Sequence, residues 1–137
     1  MTERNYSHVP LISKLNLKPG KKMYVQNAPA NYFQLLGTLP EGVKVVESLE
    51  PEMDFIHIFV TRSNQLADLL PMLKRALKKD GMLWISYPKR TSRVDTNLSE
   101  TRVIETGLMN GLVDIKVAAI DSTWSGLKFV YRLKDRV

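Results

Sequence analysis

The segment Asp54-Phe-Ile-His-Ile-Phe-Val60 is apolar on both of its alternating faces, the pattern of a central strand covered by other layers on each side. The strongest helix signal in the chain comes directly after it. From Ser63 to Lys78, residues Leu66, Leu69, Leu70, Leu73, Ala76 and Leu77 fall at helical spacing, and Lys74, Lys78 and Lys79 complement the carbonyl end. Pro71 removes the backbone bond to Ala67, which predicts a kink in a helix that otherwise persists. Asp80-Gly81 is expected to stop this helix, and Met82 to Tyr87, with Leu83, Trp84 and Ile85 in its middle, to form the next strand.

The rest of the chain repeats the alternation. Pro10 to Leu17 reads as a short helix with Leu11, Ile12 and Leu15 on one face, stopped by Pro19-Gly20. Lys22 to Asn27 is a strand, and Tyr32, Leu35, Leu36 and Leu39 mark a brief helix ending near Gly37. Val43 to Leu49 reads as a further strand. After a basic loop from Pro88 to Thr96, Asn97 and Glu100 have capping-box spacing and open a helix with Val103, Ile104, Leu108 and Leu112 at core positions, ending at Asn110-Gly111. Val113 to Ile120 and Leu127 to Leu133, around a turn from Asp121 to Gly126, predict a closing antiparallel hairpin. Strands alternating with helices give an α/β layer fold.

A length of 137 residues with 44% hydrophobic composition suits one domain, 1–137, of which 1–8 are expected to be flexible. The absence of cysteine excludes disulfides, thiolate metal sites and cysteine nucleophiles. It also fits a reducing compartment, so a cytoplasmic location is expected, with no membrane association: no apolar run approaches a membrane span, and the polar start carries no signal-peptide core. The net charge of +6, from 20 Lys and Arg against 14 Asp and Glu, attracts phosphates and nucleic acids non-specifically. No nucleic-acid motif accompanies it.

The run from Phe55 to Val60, the leucine-rich helix, and Leu77-Lys-Lys-Asp-Gly-Met-Leu-Trp-Ile-Ser86 together resemble class I S-adenosylmethionine-dependent methyltransferases, over roughly Lys21 to Arg132. The resemblance implies a Rossmann-like three-layer sandwich, truncated, with a C-terminal antiparallel hairpin. The whole chain is similar to a small bacterial family of methyltransferase-like domains with a degenerate glycine motif, on the Asn-Ala-Pro turn at 27–29, the Tyr-Pro-Lys loop at 87–89 and the Thr-Trp-Ser-Gly-Leu hairpin at 123–127.

Against functional class I methyltransferases three positions depart. The first βα turn, Gln26-Asn-Ala-Pro-Ala30, has no glycine where backbone must approach a cofactor or take positive φ. Glu47 stands where the family places an acid on the cofactor ribose. Only a few residues, however, separate its strand from the next, so a helix and strand of the usual fold are missing and the 43–49 strand is a short edge piece or antiparallel. Val60-Thr-Arg-Ser63 replaces the Asn-Pro-Pro-Tyr-like loop of amino-directed nucleic-acid methyltransferases.

Other catalytic patterns are weaker. His57 lies mid-strand and reads as a satisfied core histidine, Ser63, Ser86 and Ser122 have no evident His and Asp partners, and neither a metal site nor a P-loop is present. Position then points to the carboxyl ends of the strands. Asn27, Ala28, Pro29, Tyr32, Thr61, Arg62, Tyr87 and Lys89 are predicted there, with Arg62 or Lys89 to pair an anion and Tyr32 or Tyr87 to stack on a planar ligand. The same residues also serve as ordinary turn punctuation. Asp121, Trp124 and Lys128 form a second candidate, an interaction surface, unless Trp124 folds back over the sheet edge. The leading expectation is a binding module without conventional methyl transfer, with no cofactor assigned. The alternatives are a methyltransferase using S-adenosylmethionine through a non-standard turn, and a basic nucleic-acid accessory protein. Pairing of the 43–49 edge would give a homo-oligomer.

Overall fold

The computed structural model describes residues 9–136; the segment expected to be flexible, 1–8, lies outside them. The chain runs α1 (Leu11–Leu15), β1 (Lys22–Gln26), α2 (Tyr32–Leu36), β2 (Lys44–Val46), β3 (Met53–Phe59), α3 (Ser63–Ala76), β4 (Leu77–Pro88), α4 (Glu100–Met109), β5 (Leu112–Ala119) and β6 (Trp124–Tyr131), with a final 3-10 turn at Leu133–Asp135. A single six-stranded sheet has the order β2-β1-β3-β4-β6-β5. Its first four members are parallel, and β6 runs antiparallel to both β4 and β5. The expected Rossmann-like sandwich with a terminal hairpin is the fold observed.

Alternation along the strands divides the core between the two faces of the sheet. Phe55 and Phe59 of β3 and Trp84 of β4 pack with Leu11, Leu15, Tyr32 and Leu36 from α1 and α2. Ile56, Ile58, Leu83 and Ile85 face the other way, against Leu66, Leu70 and Leu73 of α3 and Val103 of α4. Trp84 is fully buried and spends its indole N–H on the Leu15 carbonyl at 3.0 Å, so α1 is tied to the sheet without an orphaned donor. Among the described residues no helix is long and apolar enough to cross a membrane.

The strand expected at 43–49 shrinks to Lys44–Val46 and is a parallel edge strand, which settles its direction. Its shortness makes the brief connection feasible. Six residues, 47–52, lead back to β3; they reach at most about 20 Å, whereas returning past a three-residue strand and crossing two strand spacings takes about 14 Å. Lys22 anchors this return beneath β1: its ammonium pairs with Glu50 at 3.1 Å and bonds the Pro51 carbonyl at 3.0 Å, and its N–H donates to Asp54 at 2.8 Å. A longer β2 would need the crossover helix that the chain lacks.

Other boundaries also move. Helix α3 is continuous through Pro71 but ends at Ala76; Leu77 is already extended and pairs with Met53. Asp80-Gly81 therefore does not stop the helix but lies in an irregular stretch of β4, where a Cβ on Gly81 would sit 2.8 Å from the Met53 carbonyl oxygen. The capping box expected from Asn97 and Glu100 is not formed. Ser99 caps α4, accepting from the Arg102 N–H, while Asn97 accepts from the Ser63 N–H at 2.9 Å and so caps α3 instead. Leu108, expected in the core, is 50% exposed, because Gly107 turns inward beneath the Phe129 ring. Strand β6 starts at Trp124, earlier than the expected Leu127, so the hairpin turn is shorter.

Two substitutions test this packing. A Cβ at Gly107 would lie 2.2 Å from Phe129, so Gly107→Ala is expected to lose about 1–3 kcal/mol in urea unfolding, while Leu108→Ser stays within about 0.5 kcal/mol of wild type. Asn97→Ala should cost about 1 kcal/mol through loss of the α3 cap; no change would contradict the long-range cap.

Candidate functional site

Strands β1, β3 and β4 lie side by side and parallel, so their carboxyl ends form one edge. Asn27, Ala28 and Pro29 come after β1, Thr61 and Arg62 lie just beyond β3, and Tyr87, Pro88 and Lys89 close β4. The loop after β4 is stitched over the end of β3. Thr96 donates its hydroxyl to the Thr61 carbonyl at 2.6 Å, Asn97 caps Ser63, and Arg62 forms an exposed pair with Asp95. The Lys89 N–H bonds the Thr123 carbonyl at 2.8 Å, joining the loop to the hairpin. The Arg62 guanidinium is thus partly neutralised, whereas the Lys89 ammonium makes no ion pair among the described residues.

Beside Lys89 the edge is concave. A groove of about 220 Å³ is lined by Tyr87, Lys89, Arg90, Ser99, Glu100 and Ser125, among others. Helix α4 begins here, with Ser99 as its N-cap, and the free N–H groups of a first turn favour an anion. Tyr87 is buried, which raises its phenol above the ordinary range; a hydrogen bond with Ser125 opposes the rise and the Glu100 carboxylate adds to it. Glu100 is also the one group in this set that repels an anion.

The turn after β1 is built differently. Asn27 takes φ 62°, so the left-handed conformation expected to require glycine is supplied by the residue type that best tolerates it after glycine. Ala28 and Pro29 still carry side chains, and Pro29 has no N–H to offer a ligand. Tyr32, expected on the rim, is 1% exposed and points into the core. Its hydroxyl lies 2.8 Å from His57 Nδ1, and His57 Nε2 lies 2.7 Å from the Ser86 hydroxyl. The Phe59 ring stacks on the imidazole at 4.5 Å between centroids. S-adenosylmethionine, the cofactor implied by the resemblance, does not fit this turn in the usual way, since no glycine stands in it to let the backbone come close and Pro29 offers no N–H.

His57 is fully buried, and burial pushes its imidazole down to about 3. A neutral ring has one donor and one acceptor nitrogen, and the two hydroxyls satisfy both. Ser86 therefore does have a histidine partner, contrary to the expectation from spacing. It is itself 0% exposed, and the third member is a phenol rather than a carboxylate, so the trio is a core network and not a hydrolase triad. Among the described residues no cluster of His, Cys, Asp and Glu is arranged to hold a metal.

The hairpin candidates are engaged locally. Asp121 accepts from the N–H groups of Thr123 and Trp124, both at 2.8 Å, and shapes the turn. Trp124 is half-buried and packs edge-on against Phe59 at 5.1 Å, the folded-back arrangement. Lys128 reaches Asn16 at 3.1 Å, alongside Lys116 on the Lys14 carbonyl at 2.6 Å. Burial and its two lysine neighbours, Lys116 and Lys18, lower its ammonium. Arg90, Ser99 and Ser125 carry no signal in the sequence, because only the fold of the 89–99 loop sets them around one groove. The link between His57 and Ser86 is equally silent there, because the pairing of β3 with β4 is not written in either segment.

The buried imidazole sets a pH dependence. Its native value of about 3 lies below the ordinary 6.5, so between these values the unfolded chain binds more protons. Stability present above pH 6.5 is lost as pH falls, at up to about 1.4 kcal/mol per unit. Urea unfolding from pH 7 to 4.5 should show a steeper loss for wild type than for His57→Gln; equal slopes would contradict the assignment.

Comparison with solved structures supports the fold. A S-adenosylmethionine-dependent methyltransferase from Aquifex aeolicus is similar at 17% identity and a TM-score of 0.64, covering 87% of this chain and 86% of that one. Aeropyrum pernix fibrillarin, solved with natively bound S-adenosyl-L-methionine, is similar at 16% identity and 0.60, covering 93% and 74%. A possible exported protein from Bordetella parapertussis reaches 0.65 at 11% identity, covering 96% and 68%. No family model and no curated protein matches the chain. At these identities the likeness is one of fold: the chain has the architecture of class I methyltransferases.

Proposed function

We propose that this is a methyltransferase-shaped binding module that takes a small anionic or planar ligand at the carboxyl ends of its strands and performs no conventional methyl transfer. One observation carries the reading. The turn after β1 carries Ala28 and Pro29 and no glycine, with Tyr32 drawn into the core on His57, while the neighbouring edge keeps a groove of about 220 Å³ with Lys89 and Arg90 beside the α4 N-cap. The machinery for the cofactor is altered where the place for a ligand persists. That volume lies below the roughly 300–1,000 Å³ of drug-sized sites, so the ligand is compact, or inserts one anionic end. Lys89 and Arg90 pair its phosphate or carboxylate, and the α4 N–H groups add donors.

A second reading rests on Asn27, whose φ of 62° preserves the backbone course of a cofactor turn: a genuine methyltransferase with a non-standard cradle. Calorimetric titration separates the two. S-adenosylmethionine and its demethylated product are expected to give no heat up to millimolar concentration. Adenosine monophosphate, as a planar anionic probe, should shift the amide signals of Tyr87, Lys89, Arg90 and Ser125, and Arg90→Ala should weaken it by about tenfold, as expected for one charge-assisted bond. Micromolar binding of S-adenosylmethionine, weakened by Asn27→Asp or Arg62→Ala, would instead establish the enzyme reading.

A further inference from the structure

At the opposite edge, where the parallel strands begin, the last turns of α3 and α4 and the end of β6 enclose a second groove of about 500 Å³. Pro71, Lys74, Arg75, Met109, Gly111 and Arg132 are among its lining residues. Two cations converge at its floor. A Cβ placed on Gly111, which has φ 82°, would lie 2.7 Å from the Lys74 ammonium and 3.4 Å from the Arg132 guanidinium, so the bare glycine leaves room for both. Outside the groove lining, the Lys79 ammonium lies 5.0 Å from the Tyr131 ring centre and bonds the Asp135 carbonyl at 3.2 Å, with Lys74 at 5.5 Å from the same ring. Asp135 pairs with Arg132 at 3.3 Å, and Glu52 lies near enough to act on Tyr131; Lys74 and Arg75 make no ion pair among the described residues.

Helix ends do attract cations to their carbonyls. That role places lysines along a helix terminus; it does not require several of them around one cavity with a glycine between. Like charges held this close are relieved by an anion. We propose that this groove binds the phosphate backbone of a single-stranded nucleic acid, with Lys74, Arg75 and Arg132 each contacting a phosphate.

Three features select a strand over a lone phosphate or a duplex. The cavity exceeds one phosphate, and Lys134 and Arg136 continue the positive charge along the chain that leaves it. Its floor is concave, whereas a duplex is read by a helix or ribbon that protrudes into a groove. Met109, 85% exposed on the lip, offers apolar surface to an unstacked base. No exposed aromatic joins it, since Tyr131 is buried, so binding is mainly electrostatic and tolerant of sequence. The site is separate from the ligand groove at Lys89 and stands or falls independently of it.

The test is fluorescence anisotropy of a labelled uridine dodecamer with the full chain from 25 to 200 mM salt. Three phosphate contacts on a single strand give a log–log salt slope near −2, and Lys74→Gln, Arg75→Gln and Arg132→Gln are each expected to reduce that slope by about 0.7. Arg75 is exposed, so its substitution leaves the core intact if the others do not fold. Lys89→Gln with Arg90→Gln removes charge from the other edge and should leave binding unchanged. The proposal is overturned if the dodecamer does not bind at 25 mM salt, if the Lys89 and Arg90 pair weakens it as much as the groove variants do, if millimolar inorganic phosphate displaces it completely, or if a duplex of equal length binds more tightly.

Discussion

His57 sits mid-strand where β3 is covered on both faces, and each of its ring nitrogens meets a hydroxyl from a different element, Tyr32 of α2 and Ser86 of β4. A buried imidazole with one unpaired nitrogen would cost about 1–3 kcal/mol, so both partners must arrive together. That requirement fixes the short helix α2, only five residues long, against the sheet, although a helix of that length has little stability of its own. It also decides what the turn before α2 can do. With Tyr32 held beneath the edge, the chain from Asn27 to Asn31 is pinned between the end of β1 and a buried anchor.

The two ends of the sheet consequently differ in character. At the carboxyl ends, Ala28 and Pro29 stand in the β1 turn and the end of β3 is covered by the loop carrying Asp95, Thr96 and Asn97, while a groove lies farther along, where β4 meets the start of α4. At the amino ends, the absence of a crossover helix after β2 leaves a short return held by Lys22, and the terminations of α3 and α4 bring Lys74 and Arg132 together over Gly111. Both faces of the sheet are nonetheless covered, by α1 and α2 on one side and by α3 and α4 on the other.

The layer order, the central strand and the hairpin were legible because each rests on local periodicity. Alternation at Asp54–Val60 marked a doubly covered strand, and the leucine spacing of α3 marked its buried stripe; both depend on residues adjacent in sequence. Local spacing misleads where a distant segment intervenes. Asn97 has the local spacing of a cap for α4, but the tertiary fold delivers it to Ser63. Leu108 has core spacing, yet the bulk of Phe129 reserves that depth for Gly107. Within the candidate site, Lys89 and Tyr87 were identifiable from their place after a strand. Burial of Tyr32 was not, because its partner lies 25 residues away.

The anchoring of the first turn depends most on a neutral His57 held by two hydroxyls, and nitrogen-15 chemical shifts of the imidazole recorded from pH 8 to pH 4 read that state directly. One neutral tautomer is expected, unchanged across the range, with slowly exchanging protons on the bonded groups. An imidazole that titrates near its ordinary value, 6.5, or that averages between tautomers, would show that the ring meets water. Tyr32 would then be free to leave the core, and the turn after β1 would lose its anchor.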